Sequence, residues 1–172
     1  MMNIKLYCSV NENGWETALP QYETLSENVV STTVTFIEKY EPLNFFGAQK
    51  PLAFNLCLSN DDEVHALNKE FRKIDKPTNV LSFANIDDPA FEDTIKTDNE
   101  IEMGDIIIAL QTLHTEAEQK KISLHDHFCH LLVHGTLHLL GYDHIQDDEA
   151  EHMESLEIKI LETLNINNPY QE

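Results

Sequence analysis

Three histidines with a metal-binding spacing, His134, His138 and His144, lie in the segment HGTLHLLGYDH. Two histidines four residues apart on a helix differ by about 40° of rotation and about 6 Å of rise, so their rings can converge on one ion. Gly141 can leave the helix with a positive φ and turn the chain back, which brings His144 in as a third nitrogen ligand. Three imidazoles and one open coordination position are typical of a catalytic zinc site.

Three further histidines, His125, His127 and His130, precede this segment. A histidine on an apolar helix face is more often a packed or surface residue than a ligand, and these three lack the spacing that would complete a site. His130 lies one turn before His134 and could extend the row. Two ligands from the helix and one from the turn already complete a set, so we predict that these three histidines do not bind the metal.

The spacing also matches the HExxHxxGxxH signature of metzincin proteases, with one departure. Gly135 stands where the proteases carry the glutamate that acts as general base in peptide hydrolysis. The sequence therefore predicts the metal site of such an enzyme without its peptidase activity.

The same segment, followed by DDEAEHMESLE, resembles the signature of the YbeY family of bacterial metal-dependent endoribonucleases. Two more segments resemble that family: LNKEFRKIDKPTNVLSF at 67–83 and MGDIIIA at 103–109. Together the three segments cover most of residues 52–164. Asn79 departs from the family pattern, which typically has aspartate there.

The resemblance implies a single-strand-specific endoribonuclease that acts in the cytoplasm on the 3′ end of small-subunit ribosomal RNA and in ribosome quality control. The implied partners are single-stranded ribosomal RNA and the small ribosomal subunit or proteins associated with it, but neither DNA nor a membrane. The implied cofactor is one Zn2+ ion bound by His134, His138 and His144. Other divalent transition metals stay open, because three imidazoles also accept nickel or copper.

Arg72, the only arginine of the chain, is the residue expected to contact the substrate phosphate. It lies among Lys69, Lys73 and Lys76, whereas the formal net charge of −20 argues against a broad basic RNA-binding face. Clustered cations can still bind a phosphate locally, and the resemblance places the family's arginine at this position. We therefore predict that Arg72 and His134 are catalytic, and that Arg72 faces the cleft of the histidines and does not pack.

Two aspartates, Asp143 and Asp105, lie close to these motifs. Asp143 lies beside His144, where it either orients an imidazole or is solvated. Asp105 is expected to be structural, holding a loop or orienting a ligand.

Two alternative functions stay open. One is a ribosome assembly factor whose metal stabilises the fold, although the open coordination position argues against it. The other is a zinc hydrolase that acts on a different ester or amide.

The composition, with 41% hydrophobic residues, suits one domain over residues 1–172. The resemblance implies that it is a metallohydrolase domain. Neither a membrane span nor a signal peptide is evident, which predicts a cytoplasmic protein. Cys8, Cys57 and Cys129 form no CxxC pair, so we expect reduced thiols and neither disulfides nor a zinc finger.

Hydrophobic periodicity predicts an α+β fold, in which helices pack against a mixed sheet of about four strands. The predicted strands are 4–10, 52–59, 79–84 and 104–110, and the predicted helices are 19–40, 61–71, 111–120, 124–140 and 147–164. The helix over 124–140 carries His134 and is apolar around much of its circumference, so it should run through the core.

Local signals complete this prediction. Asn60 or Asp61 should cap the second helix, and Asp147 or Asp148 the last one. Residues 85–102 are acidic and without period, which indicates a mobile segment or a flap. In the last helix, Met153 and Leu156 should be buried, whereas the glutamates expected to be exposed are Glu149, Glu151 and Glu157.

Overall fold

Four strands form a mixed sheet at the centre of the fold. The computed structural model describes residues 2–171. The strands are β1 (Ile4–Val10), β2 (Leu52–Ser59), β3 (Val80–Ala84) and β4 (Ile101–Ala109). Their order is β1-β2-β4-β3, with β1, β2 and β4 parallel and β3 antiparallel to β4 at one edge. The predicted α+β fold with a four-stranded mixed sheet is confirmed.

The helices of the described residues mostly match the predicted ones. They are α1 (Gly14–Ala18), α2 (Tyr22–Tyr40), α3 (Asp61–Arg72), α4 (Phe91–Thr97), α5 (Leu110–Lys120), α6 (Leu124–Leu139) and α7 (Asp147–Thr163). The helix predicted from Leu19 begins at Tyr22, because a separate short helix, α1, precedes it. That helix is too short to show a period, and tertiary contacts stabilise it: Trp15 is buried and its indole N–H donates to the carbonyl oxygen of Ser59.

The prediction of a mobile segment or flap over residues 85–102 is wrong. This segment contains a short 3₁₀ turn (Asn85–Asp87), α4, and the first two residues of β4. Phe91 is buried and packs edge-on against Phe45, with their ring centroids 5.7 Å apart. One buried aromatic therefore anchors an acidic segment whose sequence shows no period.

Strand β4 begins at Ile101, whereas the predicted strand begins at Gly104. The φ of Gly104 is +130°, and this residue lies where the register between β2 and β4 shifts. A Cβ atom at this position would lie 2.0 Å from the carbonyl oxygen of Phe83 on β3. The glycine thus permits a bulge within a longer strand, and it is not the start of the strand.

Helix α6, which carries His134 and His138, runs through the core as predicted. It packs on β3 and β4 and contacts α2, α5 and α7. Eleven of its residues are buried. Helix α3 covers the opposite face of the sheet, where Val64 packs with Leu81 and Ile107. Successive strand residues point to opposite faces, so Ile106 and Ile108 of β4 face α6.

Helix ends depend on neighbouring groups as much as on the sequence. The side chain of Asn60 accepts a hydrogen bond from the backbone N–H of Glu63, so the predicted cap of α3 is confirmed. At α7 neither predicted aspartate is the cap: Gln146 occupies that position without a side-chain bond, and Asp147 and Asp148 lie in the first turn. Acidic residues there still stabilise the helix through its dipole.

No helix within residues 2–171 is long and apolar enough to cross a membrane.

Candidate metal centre

The structure brings His134, His138 and His144 together. His134 and His138 lie one turn apart on α6, with ring centroids 4.5 Å apart and Nε2 atoms 3.0 Å apart. The ring of His144 lies 5.4 Å from that of His134 and 4.9 Å from that of His138. One ligand atom from each histidine lies within 4.8 Å of the other two. These distances suit three ligands of one ion.

The turn after α6 places His144. Gly141 has a φ of +105°, and its backbone N–H donates to the carbonyl oxygen of His138. The backbone N–H of Tyr142 donates back to the carbonyl oxygen of Leu137, which ends the helix in the pattern expected for a left-handed glycine. Asp143 is exposed, and its carboxylate accepts a hydrogen bond from the backbone N–H of His144. Asp143 therefore orients the backbone that carries His144.

The hydrogen-bond partners of the two helical histidines determine which ring nitrogen is free. The Nδ1 atom of His138 lies 2.9 Å from the carbonyl oxygen of Tyr142, and that of His134 lies 3.1 Å from a carboxylate oxygen of Glu157. A carbonyl and an ionised carboxylate only accept, so both Nδ1 atoms carry the proton. Both Nε2 atoms therefore present a lone pair to the site, as metal-binding histidines commonly do.

This donor set fits a metal cation. Burial, with the neighbouring His134 and His144, lowers the pKa of His138 to about 4, so its ring is neutral at physiological pH. The Nε2 atoms of His134 and His138 face each other across 3.0 Å. Two nitrogens bound to one tetrahedral zinc ion would lie about 3.4 Å apart, given Zn–N bonds of about 2.0–2.1 Å. The two nitrogens therefore lie at nearly the spacing that a shared cation requires.

The prediction that Glu157 is exposed is wrong. Glu157 is only 1% exposed, and its carboxylate contacts His130 and His134. Although burial by itself would raise the pKa of Glu157, hydrogen bonds from these two histidines hold it at about 2. The period of α7 does place this residue near the buried face, but the sequence did not show which polar groups would meet it there.

Arg72 lines the same cleft as the three histidines. The cleft has a volume of about 520 Å³, and its lining also includes Lys76 and Asn79. The Nη2 of Arg72 donates to the carbonyl oxygen of Ser82 at 2.8 Å, and its guanidinium carbon lies 5.7 Å from the ring centroid of Phe83. The expectation that Arg72 would not pack is therefore wrong in part: it lies outside the core, but its guanidinium rests on the β3 edge.

The other two lysines of the basic cluster lie outside this cleft. Lys69 lies 3.9 Å from a carboxylate oxygen of Asp75, and Lys73 donates to the carbonyl oxygen of Glu70. Only part of the basic cluster is thus directed at the histidines.

The surroundings of Asp105 and Asn79 indicate structural roles for both residues. Asp105 precedes Ile106 on β4, so it points away from α6 and the histidines, into a cleft lined also by Asn55 and Cys57. Burial raises its pKa there. The side-chain amide of Asn79 donates to Glu116 at 2.9 Å, which joins the start of β3 to α5. Asp105 thus does not orient a metal ligand.

Sequence reasoning missed the support of the turn that carries His144. The hydroxyl of Tyr142 donates to Glu41 at 2.6 Å, and His152 contacts the same carboxylate at 2.8 Å. This contact ties the turn to α2 and α7. Glu41 lies 101 residues from Tyr142 in the chain, so no local pattern could have paired them.

Gly135 lies against the sheet and leaves no room for the glutamate of the protease signature. A Cβ atom there would lie 3.0 Å from Cγ2 of Ile106 and 3.2 Å from Oγ of Ser82.

We therefore expect Gly135→Glu to lower the free energy of unfolding by roughly 3–5 kcal/mol, the scale of an uncompensated buried charge. Urea denaturation measures this loss. Gly47→Glu is the control, because a Cβ at Gly47 meets no atom within 4 Å; equal midpoints for the two variants would contradict the close packing of α6.

Comparisons with known proteins identify a family that this chain matches. Residues 12–165 match the family described as Endoribonuclease YbeY. An endoribonuclease YbeY from Rhizorhabdus wittichii is 54% identical over 117 residues, which are 67% of this chain and 69% of that protein. One from Sinorhizobium fredii is 41% identical over 170 residues, or 99% of this chain and 94% of that protein. The family match includes Arg72 and the three histidines.

The fold also resembles a solved structure. The solution structure of TM1509 from Thermotoga maritima aligns with a TM-score of 0.54 over 92% of this chain and 87% of that chain. The sequences are 23% identical, so this likeness supports the fold alone.

Proposed function

Because the chain belongs to the Endoribonuclease YbeY family, we propose that it is a zinc-dependent endoribonuclease that cleaves single-stranded ribosomal RNA. The proposal comprises one metallohydrolase domain over residues 1–172, acting in the cytoplasm on the 3′ end of small-subunit ribosomal RNA and in ribosome quality control. Its partners would be the small ribosomal subunit or proteins bound to it, and DNA would not be a substrate.

One observation carries this proposal: the three histidines and the only arginine line one polar cleft. His134, His138 and His144 would hold the metal, with a coordination position left open. A bound divalent cation would act as a Lewis acid and lower the pKa of water to about 7. The chain supplies no glutamate at position 135, so this mechanism does not depend on the general base of a protease.

Arg72 would bind the scissile phosphate. One of its five N–H donors is engaged by the carbonyl oxygen of Ser82, which holds the guanidinium at the cleft. The other donors have no hydrogen-bond partner in the described part of the chain and can bind phosphate oxygens. Such donors stabilise charge that develops in the transition state. Lys76, on the same cleft, adds a second positive charge. We assign Arg72 and His134 as catalytic residues on this basis.

The charge of the remaining surface limits how RNA binds. A formal net charge of −20 repels a polyanion outside the cleft. Binding should therefore depend on few phosphate contacts and decline as salt is raised, since each contact releases counterions. A ribosomal partner that presents the RNA would offset this weak affinity.

A chelation experiment tests the proposal against an assembly factor with a structural metal. We expect the protein to cleave single-stranded ribosomal RNA, to stop after EDTA treatment and to resume with Zn2+, while duplex RNA and single-stranded DNA stay intact. The thermal unfolding midpoint should fall only modestly, because the core packs without the three histidines. Unfolding on chelation, with no cleavage by the metal-loaded protein, would favour the assembly factor.

A further inference from the structure

A buried carboxylate connects the candidate metal ligand His134 to the C-terminal end of the chain. Glu157 lies on α7, and its Oε2 is 3.1 Å from Nδ1 of His134. Its Oε1 lies 2.6 Å from Nε2 of His130 and accepts a hydrogen bond from the hydroxyl of Tyr170 at 2.8 Å. Within residues 2–171, the polar contacts of this carboxylate are thus with two histidines and one tyrosine.

We propose that Glu157 is a positioning residue that holds His134 in the tautomer whose Nε2 is free to bind the metal, and that Tyr170 holds Glu157 in place. This inference rests on the proposed metal site. It assigns a function to residues that do not touch the metal: they determine whether the site is ready to receive it.

The surroundings of His130 determine which of its ring nitrogens donates. Its Nδ1 is buried and has no hydrogen-bond partner among residues 2–171. Its Nε2 faces Oε1 of Glu157 at 2.6 Å. Because an ionised carboxylate only accepts, Nε2 of His130 is the donor of this contact. The carboxylate accordingly receives donors on both of its oxygens.

An amide at position 157 could not serve both sides. A carboxylate offers two accepting oxygens, whereas glutamine offers one oxygen and one NH2 group. His130 and Tyr170 both donate to the Oε1 side, so the oxygen of glutamine should stay there and the NH2 group should face His134. Nδ1 of His134 would then have to accept, and its proton would move to Nε2.

That second tautomer could not bind the metal through Nε2. Its Nε2–H would point at Nε2 of His138, 3.0 Å away, and would form an N–H···N hydrogen bond. Because the carboxylate only accepts, it favours the tautomer in which Nε2 of His134 is free to bind the metal.

Tyr170 attaches the C-terminal segment to this network. Its ring packs edge-on against His130, with centroids 5.4 Å apart, and its backbone N–H donates to the side chain of Asn168. Burial and the nearby Glu157 raise the pKa of Tyr170, so its hydroxyl stays a donor. The residue is 44% exposed, so loss of the hydroxyl should not disturb the core.

The test compares E157Q with E154Q, a matched change on the exposed face of α7. Zinc affinity is measured by competition with a chromophoric chelator. We expect E157Q to bind zinc about 10–100-fold more weakly than wild type, the range for loss of a partner that orients a ligand. E154Q should bind like wild type. The thermal unfolding midpoint of metal-free E157Q should stay within about 5 °C of wild type.

Nitrogen NMR of the histidine rings in the metal-free proteins gives a readout that a merely structural role would not produce. His134 should carry its proton on Nδ1 in wild type and on Nε2 in E157Q. Y170F should keep the wild-type fold and lose about two- to fivefold in zinc affinity, the size of one weakened hydrogen bond. This variant also tests the inference if E157Q does not fold.

The outcomes separate the inference from the proposed function. A wild-type protein that binds no zinc would overturn the proposed metal site. Wild-type zinc affinity in both E157Q and Y170F, with His134 protonated on Nδ1 throughout, would overturn the positioning function while leaving the metal site standing.

Discussion

His138→Ala should leave the protein without stoichiometric metal and reduce RNA cleavage to background. Loss of a partner that merely orients a ligand costs about 10–100-fold in metal affinity, so loss of a ligand should cost more than about a hundredfold. His138 is the central ligand of the site: its Nε2 lies 3.0 Å from that of His134, and its ring lies closer to His144 than the ring of His134 does. Without it, His134 and the exposed His144 cannot enclose an ion.

The fold should survive this change. His138 lies in the last turn of α6 and is only half-buried, and alanine is the best helix former. Mass spectrometry of bound metal and cleavage of single-stranded RNA measure the two effects. The control is His125→Ala, which removes an exposed histidine from the first turn of the same helix. Full metal content in His138→Ala would exclude His138 from the metal site.

Arg72→Ala should reduce RNA cleavage by roughly a hundredfold or more, the scale of losing one donor that stabilises transition-state charge. Metal content should not change, because the guanidinium contacts Ser82 and Phe83 and no histidine. Arg72→Lys should recover only part of the activity, since a lysine cannot present paired donors to a phosphate while also bonding to Ser82.

Single-turnover cleavage of a short RNA, with metal content measured on the same samples, checks this prediction. Lys73→Ala is the matched control: it removes a neighbouring positive charge whose Nζ bonds to Glu70 outside the cleft. If Arg72→Ala cleaves at the wild-type rate, the proposed phosphate contact is wrong, whatever the metal site does. Equal losses in both variants would indicate a general effect of charge and not a specific contact.

Much of the fold could be predicted because its elements are long and regular in sequence. Strands β1 and β2 alternate or run apolar over their whole length, and α6 is apolar around its circumference, so their bounds agree closely with the prediction. Short elements were missed for the opposite reason. Helices α1 and α4 each depend on one buried aromatic, Trp15 or Phe91, and a single residue has no period.

The sequence by itself determined the histidine set, since the spacing from His134 to His138 is a property of the helix and Gly141 makes the turn to His144. Only the tertiary structure decided what surrounds this set. Packing of α7 on α6 buries Glu157 beneath His134, and the β3 edge places Arg72 in the same cleft. These contacts join residues that are distant in the chain. A local pattern encodes which face of a helix is buried, but not which polar groups meet there, and in this protein those groups include the carboxylate that contacts a candidate metal ligand.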